Sequence, residues 1–390
     1  MEKIFIKNST LNPIFSLNTS SYSLKNNEIW KWGKNNLLPL ALLEISHNSP
    51  AHRRIVQDKA NYIAGAGYKC DDPRVEKFAM CCNSNYETLR TITHKLALDK
   101  TIFGNALLEV AYKDGKIALW HKDITQARLL KDKTHVVINP SWSTFQPNES
   151  LTLPIYPNIE KFSDGSLRTS ILLKDYEPMF DNYGLPKYIA SIGAMAIAHK
   201  TEKWNITRLD NSFSLSGVMI LDGSNSTDEE ADQLADEALR RFKGTPGQVM
   251  FMVKNNSETD NSKFVPITTS DDGDWQNLTS QSTDNIIIAH SWFRTLSGME
   301  YSSGFSSERV QNEYNIALST IIKSEQQTIL DALKKIIEYF TPLDASSMEI
   351  INTPPFNPRQ NYMKVWEARK ADGLSYDPNS KEQSIFLSQL

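Results

Sequence analysis

One continuous stretch, residues 182–223, constrains the fold most, because it joins a helix to a strand across a short break. A Gly-Leu-Pro turn at residues 184–186 precedes an amphipathic run that predicts a helix. An Asn-Ser-Phe break at residues 211–213 interrupts this run, and the apolar residues 218–221 then predict a short strand. The stretch holds no cluster of polar residues typical of a reaction centre.

Composition and charge limit the classes of protein that fit. The 390 residues suffice for one large core or for two to three smaller ones. Hydrophobic residues make up 40% and charged residues 23%, which is typical of folded, water-soluble proteins. A formal net charge of -4 disfavours a protein that grips nucleic acid over a broad surface. Any contact with DNA is therefore expected to be local or loose.

The cysteines and the apolar runs bear on location. Cys70, Cys81 and Cys82 lack Cys-x-x-Cys spacing and predict reduced thiols in a cytoplasmic setting. The first residues contain only a short apolar run, so no secretory leader is expected. No window approaches eighteen uninterrupted apolar residues, which predicts that the chain has no membrane span.

The first half of the chain mixes helix and strand signals and predicts an α+β fold. Residues 1–26 are polar and predict an extended arm, whereas residues 40–64 predict two helices interrupted by Asn-Ser-Pro. A helix over 88–101 is followed by a β-hairpin over 105–120, whose reversal is the Asp114-Gly115 pair. Short strand patterns continue through residues 121–180.

The second half is dominated by helices around one small strand pair. Thr227 and Glu230 form a capping box for a helix that Gly244 ends. A helix of about thirty residues near the C-terminal end is unusually long for a globular domain. The predicted elements, in order, are the helix 227–243, strands 248–253 and 263–268, a helix 275–293, a Gly- and Ser-rich segment 295–307, the long helix 310–340, a helix 360–371 and a short final helix.

No established catalytic motif is present in the sequence. The Gly-rich phosphate loops, the Gly-x-Ser-x-Gly elbow and the His-Glu-x-x-His zinc motif are all missing. His121 and Asp123 place a base near a carboxylate at the end of a strand, but a polar turn explains them better. Cys81, Cys82 and His94 lack a fourth ligand for a metal. We therefore expect no catalytic residues, no metal site and no cofactor.

Two further patterns have a structural and a functional interpretation. Asp271, Asp272 and Asp274 resemble a crude calcium loop without its final Glu, and helix capping explains them better. Trp30 and Trp32, beside lysines, could stack nucleobases, but packing in a core or a subunit interface is favoured.

Five loose motifs follow one another along residues 28–340. They are WGKNNLLP with NSPAHRRIVQDKANYIAGAG; LALDKTIFGNALLEVAYKDGKIALWHKDITQARL; YGLPKYIASI with NSFSLSGVMIL; the capped helix with its strand pair; and NIIIAHSWFRTLSG before the long helix. In this order they resemble the portal proteins of tailed bacteriophages, in the HK97-like and PBSX-like branch.

The resemblance implies a non-enzymatic ring of about twelve copies at one capsid vertex, closed head to tail around a tunnel. The expected location is the virion, after assembly in the host cytoplasm. The implied partners are other copies of the chain, the large terminase that drives the genome, head-tail connector or neck proteins, the major capsid protein and double-stranded DNA in the tunnel, with no membrane.

The resemblance also implies a division of the chain into the regions of a portal-type fold: an α/β wing, a two-helix stem, a small α/β clip, a long wing helix and a short helical crown. The boundaries are an arm 1–26, wing 27–226, stem helix 227–243, clip 244–272, stem helix 273–293, tunnel loop 294–307, long wing helix 308–341 and crown 342–390.

Candidate site residues follow from these regions. Acidic stem side chains would keep the duplex from adhering, because contacts between phosphates and basic residues must be broken at each step. The clip would dock the terminase. The tunnel candidates are Arg294, Ser297, Gly298, Met299, Tyr301, Gly304, Phe305 and Arg309; the acidic stem candidates are Asp228, Glu229, Asp232, Asp236 and Glu237; the clip candidates are Lys254, Asn255, Asn256, Glu258, Asp260 and Lys263.

Two other functions remain open from the sequence. One is a cytoplasmic hydrolase that uses His121 and Asp123. The other is a neck or adaptor protein of a virion that is not itself the portal ring.

Overall fold

The computed structural model describes residues 21–24, 27–33, 35–142, 149–210, 217–222, 249–254, 263–266, 272–299, 307–355, 364–371 and 373–386. The chain divides into two compact units. The first comprises Met1–Ala190 with Ile287–Leu390, and the second comprises Ser191–Ile286.

The helices near the N-terminal end of the first unit begin and end at residues suited to those positions. Pro50 occupies the first position of its helix, where its missing N–H is not needed. Thr88 caps the helix Leu89–Phe103 by accepting the Thr91 N–H, and Gly104 ends this helix at a φ of 67°. The helices are α1 (Leu38–Asn48), α2 (Pro50–Ala64), α3 (Pro73–Ala79) and α4 (Leu89–Phe103).

A four-stranded antiparallel sheet packs beside these helices, and its strands lie in the order Lys116–Lys122, Asn105–Lys113, Leu167–Lys174 and Glu160–Lys161. Its hairpin turns at Asp114 and Gly115, whose φ angles of 51° and 76° fit a type I′ turn. In chain order, the strands in the first part of this unit are β1 (Ser21–Leu24), β2 (Asn27–Trp30), β3 (Tyr68–Lys69), β4 (Asn105–Lys113), β5 (Lys116–Lys122), β6 (Ala127–Leu129), β7 (His135–Ile138), β8 (Leu151–Pro154), β9 (Glu160–Lys161) and β10 (Leu167–Lys174). Strands β6, β7 and β8 form a separate three-stranded sheet.

The second unit contains a small mixed sheet and most of two helices. Strand β11 (Gly217–Asp222) is central, and it pairs in parallel with β12 (Val249–Lys254) and antiparallel with β13 (Lys263–Pro266). The helices are α5 (Ile192–Asp210) and α6 (Asp272–Ala289), the latter ending inside the first unit.

The long helical run belongs to the first unit. It comprises α7 (Ser307–Ala317), a π-helical turn (Leu318–Ile322) and α8 (Lys323–Phe340) without a break in the chain. Its inner face buries apolar side chains that include Leu333 and Ile337. Strand β14 (Glu349–Ile350) pairs with β3, and α9 (Val365–Ala371) lies near the C-terminal end.

Most elements predicted from the sequence are confirmed, including the hairpin, the interrupted helix pair and the long helix. Two expectations are wrong. Helix α6 ends at Ala289 rather than at Phe293, because Ser291 adopts a φ of 49°, which an α-helix does not allow. Over 373–386 the structure has turns instead of the expected final helix, and Asp377 accepts the Asn379 N–H in one of them. The predicted helix 227–243 lies outside the described residues.

Candidate functional site

The segment after α6 is fixed to α2 within the first unit. His290 accepts a hydrogen bond at its carbonyl from the Lys59 ammonium, and its ring lies 2.8 Å from that of His52, Nε2 to Nδ1. Tyr188 packs against both rings, with centroid distances of 4.3 Å to His52 and 5.0 Å to His290. Burial lowers the pKa of His52 to about 3 and that of His290 to about 2. Both imidazoles are therefore neutral at neutral pH, and one donates to the other.

A buried turn follows at the start of the predicted tunnel loop. The indole N–H of Trp292 donates a hydrogen bond to the Ser297 hydroxyl oxygen at 3.0 Å. The same hydroxyl donates its own hydrogen bond to the carboxylate of Asp58 in α2. Gly298 ends the turn with a φ of 66°, and its N–H donates a hydrogen bond to the Thr295 carbonyl. Thr295–Ser297 is a 3-10 turn whose side chains are all buried. The first residues of this segment are thus held by α2.

The start of the long helix is held by the same helix α2. The ring of Tyr62 lies between those of Trp292 and Tyr314, at centroid distances of 5.9 Å and 5.7 Å. Tyr314 is 3% exposed and belongs to α7. Trp292, before the segment 300–306, and Tyr314, after it, therefore both pack on the side chain of Tyr62 in α2.

A charged network lies next to this packing. Lys100, which is 4% exposed, pairs with Asp175 and with Glu325, and Lys187 pairs with the other oxygen of Glu325. Burial opposes the charged form of Lys100, but the two carboxylates outweigh it and raise the pKa of Lys100. The network joins α4, the residue after β10, the loop before Tyr188 and α8. Burial opposes the charged form of Glu325, but the Lys100 and Lys187 ammonium groups outweigh it and lower the pKa of Glu325, whereas burial raises the pKa of Asp175.

A cavity of about 580 Å³ opens beside this network. Its charged lining consists of Lys59, Lys100, Asp175, Lys187 and Glu325. Burial, and then the charge of Lys187, lower the pKa of Lys59 to about 8. Lys59 is 7% exposed, so its ammonium lies at the inner wall of the cavity.

The predicted tunnel residues that the structure describes lie at the two ends of the segment. Arg294 is half-buried and precedes the 3-10 turn, and Met299 donates its N–H to the Arg294 carbonyl at 3.0 Å. Arg309 lies in α7 and pairs with Glu313 at 2.9 Å. Tyr301, Gly304 and Phe305 lie outside the described residues.

The stem and clip candidates lie largely outside the described residues. Among the clip candidates, Lys254 is the last residue of β12 and Lys263 is the first residue of β13. Their strands both pair with β11, which brings the two ends of the predicted clip loop to one small sheet. The candidates that fall outside are Asn255, Asn256, Glu258, Asp260, Asp228, Glu229, Asp232, Asp236 and Glu237.

The pairing of His121 with Asp123 is wrong. His121 Nε2 lies 2.8 Å from Oδ2 of Asp99 in α4, because alternate residues of β5 face that helix. Asp123 instead accepts the N–H of Thr125 at 2.9 Å and caps a short turn. Burial raises the pKa of Asp99. The structure therefore does not bring together the His121 and Asp123 side chains on which the hydrolase alternative depends.

The side chains of Trp30 and Trp32 make contacts within the fold. Trp32 is 3% exposed and stacks on Tyr183, with a centroid distance of 4.5 Å and an interplanar angle of 2°. The Trp30 indole N–H donates a hydrogen bond to the Lys131 carbonyl.

Within the described ranges, no group of three or more His, Cys, Asp or Glu side chains is arranged to hold a metal ion. The same part of the chain has no helix with the length and apolar character needed to cross a membrane.

Comparisons with solved structures give the fold a context. A chain in the neck of a native GTA particle computed with C12 symmetry aligns over 95% of this chain and 100% of its own, at a TM-score of 0.56 and 14% identity. A chain from the virion of a native gene transfer agent (GTA) particle aligns over 87% and 94%, at a TM-score of 0.56 and 14% identity. An HK97-family phage portal protein from Corynebacterium diphtheriae aligns over 81% and 94%, at a TM-score of 0.45 and 11% identity.

No protein-family model matches the sequence, and no curated protein is similar to it in sequence. Because the two GTA chains are only 14% identical to this chain, their TM-scores of 0.56 show similarity of fold alone. The predicted α+β fold is confirmed, because the described residues combine helices with mostly antiparallel sheets.

Proposed function

We propose that this chain is the portal protein of a tailed-phage-like particle, a ring-forming conduit for double-stranded DNA at one vertex of the capsid. The observation that carries the proposal is the fold match over 95% of the chain to a component of a particle neck computed with C12 symmetry. The five motifs in portal order support the same assignment, because they span the region from the first helices to the long helix. The location that follows is the virion, and the work is mechanical rather than enzymatic.

A ring of identical subunits would repeat the negative charge of the chain around one axis. Each subunit would contact its neighbour with two different surfaces, so that rotation about one axis closes the assembly. A formal charge of -4 per subunit, repeated around the ring, would oppose adhesion of phosphates to the wall. The proposed stem faces, with Asp228, Glu229, Asp232, Asp236 and Glu237, would concentrate this effect along the duplex.

The proposed tunnel loop has a physical basis in the anchoring of its two ends. His290 and Trp292 before it, and Tyr314 after it, pack on side chains of α2. A segment between two fixed ends can change its conformation without releasing the rest of the subunit. Residues 299–306 would use this freedom to follow the DNA, and Arg294 and Arg309 at the two ends would make brief phosphate contacts.

The proposed clip would dock the large terminase during packaging and the connector proteins afterwards. Its loop, residues 255–262, leaves β12 and enters β13, whose strands are paired through β11. A small sheet of this kind holds the two ends of a loop in place, which suits a docking surface. Asn255, Asn256, Glu258 and Asp260 are the side chains proposed to contact the motor.

A neck adaptor is the second candidate, because two of the similar chains come from structures described as particle necks. An adaptor would share the location and the cyclic symmetry but would attach after packaging. Binding of the large terminase therefore separates the two functions. A portal binds the motor and an adaptor does not.

Two variants with opposite expected effects test the proposal. Deletion of residues 299–304 should leave ring assembly and terminase binding unchanged but impair packaging or retention of the genome, because the loop would face the tunnel. Replacement of Asn255, Asn256 and Glu258 by Ser should abolish capture of the terminase in a pull-down and leave rings intact. Each variant serves as the control for the other.

Specific outcomes would contradict these assignments. If the loop deletion prevents assembly, the segment lies at a subunit contact and not at the tunnel. If the clip variant captures the terminase as well as the native protein does, the docking surface lies elsewhere. If the native ring itself never captures the terminase, the neck adaptor is the better assignment.

A further inference from the structure

The cavity beside Lys59 combines charge with apolar walls. Its volume of about 580 Å³ lies within the range of about 300–1,000 Å³ that is usual for small-molecule sites. Apolar side chains that line it include Ile63, Trp292, Phe293 and Ile321. The last of these belongs to the π-helical turn, a kind of distortion that occurs frequently at functional sites.

The charges around the cavity do not cancel. Three lysines, Lys59, Lys100 and Lys187, face two carboxylates, those of Asp175 and Glu325, which leaves one positive charge in excess. Both oxygens of Glu325 are already engaged, by Lys100 and by Lys187. The excess charge therefore belongs to the third lysine.

Lys59 is the group whose charge has no direct counter-ion. Among the residues that the structure describes, no carboxylate oxygen lies within 4.0 Å of its Nζ. Its ammonium carries three donors, and the His290 carbonyl accepts one of them. A buried charge is stable only when it is paired or fully hydrogen-bonded, so an anion in the cavity would complete its surroundings.

We propose that this cavity is a binding site for a small organic carboxylate, whose carboxylate pairs with Lys59 and whose apolar part lies against the half-buried side chains of Phe293 and Ile321. Size and chemistry together give this class. A hydrated inorganic ion would leave Phe293 and Ile321 without an apolar partner in the cavity, and an uncharged apolar molecule would leave the Lys59 ammonium without a counter-ion. The site is distinct from the tunnel loop and from the clip, and the proposal stands independently of the proposed function.

Isothermal titration calorimetry of the full chain with benzoate and benzamide tests the proposal. The two probes share one ring and similar size, and only benzoate is charged. Benzoate should bind about tenfold more tightly than benzamide or better, because a hydrogen bond between charged groups is stronger than a neutral one. The preference should fall as the pH rises through about 8, where Lys59 loses its proton.

Two variants locate the effect. Lys59→Gln should abolish the preference for benzoate, whereas Lys116→Gln, an exposed lysine at the hairpin turn, should retain it. Circular dichroism checks that both variants fold, and the pH series on the native chain decides the matter if Lys59→Gln does not fold. Equal affinity for the two probes, or a preference that survives in Lys59→Gln, overturns the proposal. A preference for benzoate that does not change between pH 7 and pH 9 also overturns it.

Discussion

Replacement of Lys100 by Met should destabilise the first unit strongly. The side chain keeps a similar length and apolar stem, but it loses the ammonium that pairs with Asp175 and Glu325. The Lys100 side chain is 5% exposed, and the two carboxylates are 12% and 13% exposed, so water does not replace the lost cation. The variant therefore isolates the energetic effect of one buried charge.

The expected loss follows from what remains unpaired. Removal of one partner from a buried ion pair typically costs about 3–5 kcal/mol, because the other charge stays buried. Lys187 still pairs with Glu325 in the variant, which leaves the carboxylate of Asp175 as the main uncompensated charge. We therefore expect a decrease in the free energy of unfolding of about 3 kcal/mol at neutral pH. The deficit should shrink as the pH falls, because Asp175 then takes up a proton.

Urea unfolding followed by far-UV circular dichroism measures this difference, provided that the slope of the transition is unchanged. The matched control is Lys95→Met on the same helix. Lys95 pairs with Glu87, but its side chain is 44% exposed, and an exposed pair contributes about 0.2–1 kcal/mol. Equal destabilisation of the two variants would show that burial of the Lys100 network does not increase its contribution to stability.

Two further predictions concern a pair of glycines with positive φ and a pair of buried histidines. Gly104→Ala should lower the free energy of unfolding by more than about 2 kcal/mol, because a Cβ there meets the Leu185 carbonyl carbon at 2.6 Å and φ is 67°. Gly115→Ala, with a φ of 76° but open space, should lower it by about 1–2 kcal/mol, and equal losses would argue against the contact. Burial lowers the pKa of His52 to about 3 and of His290 to about 2, so the unfolded chain binds protons first as the pH falls. Stability should thus decline below pH 6.5, by about 3 kcal/mol at pH 5.5, and His290→Gln should roughly halve this decline in urea titrations at each pH; an unchanged decline would exclude His290 as its source.

Local sequence signals were sufficient for most of the secondary structure. Pro50 begins a helix because its φ and its missing N–H suit only the first turn. The Asp114-Gly115 pair fixes the hairpin because both residues adopt a positive φ. The spacing of apolar residues over 310–340 predicted the long helix, but not the π-helical turn within it, which periodicity does not reveal.

The cavity and the charged network were not predictable in the same way. Lys59, Lys100, Asp175, Lys187 and Glu325 are single charged residues far apart in the sequence, and only the packing of several elements brings them together. The same limit explains the misassigned partner of His121, because Asp99 lies on a neighbouring helix and Asp123 was merely close in sequence. One weak signal was present, since Lys59 lies four residues after Ile55 on the buried face of α2.

Imaging of the purified chain by electron microscopy, down the axis of any assembly, shows directly whether the subunits close into a ring. We expect closed rings with a central hole wide enough for duplex DNA. Compact particles with the mass of one chain, 44.3 kDa, or open chains of subunits would contradict this expectation.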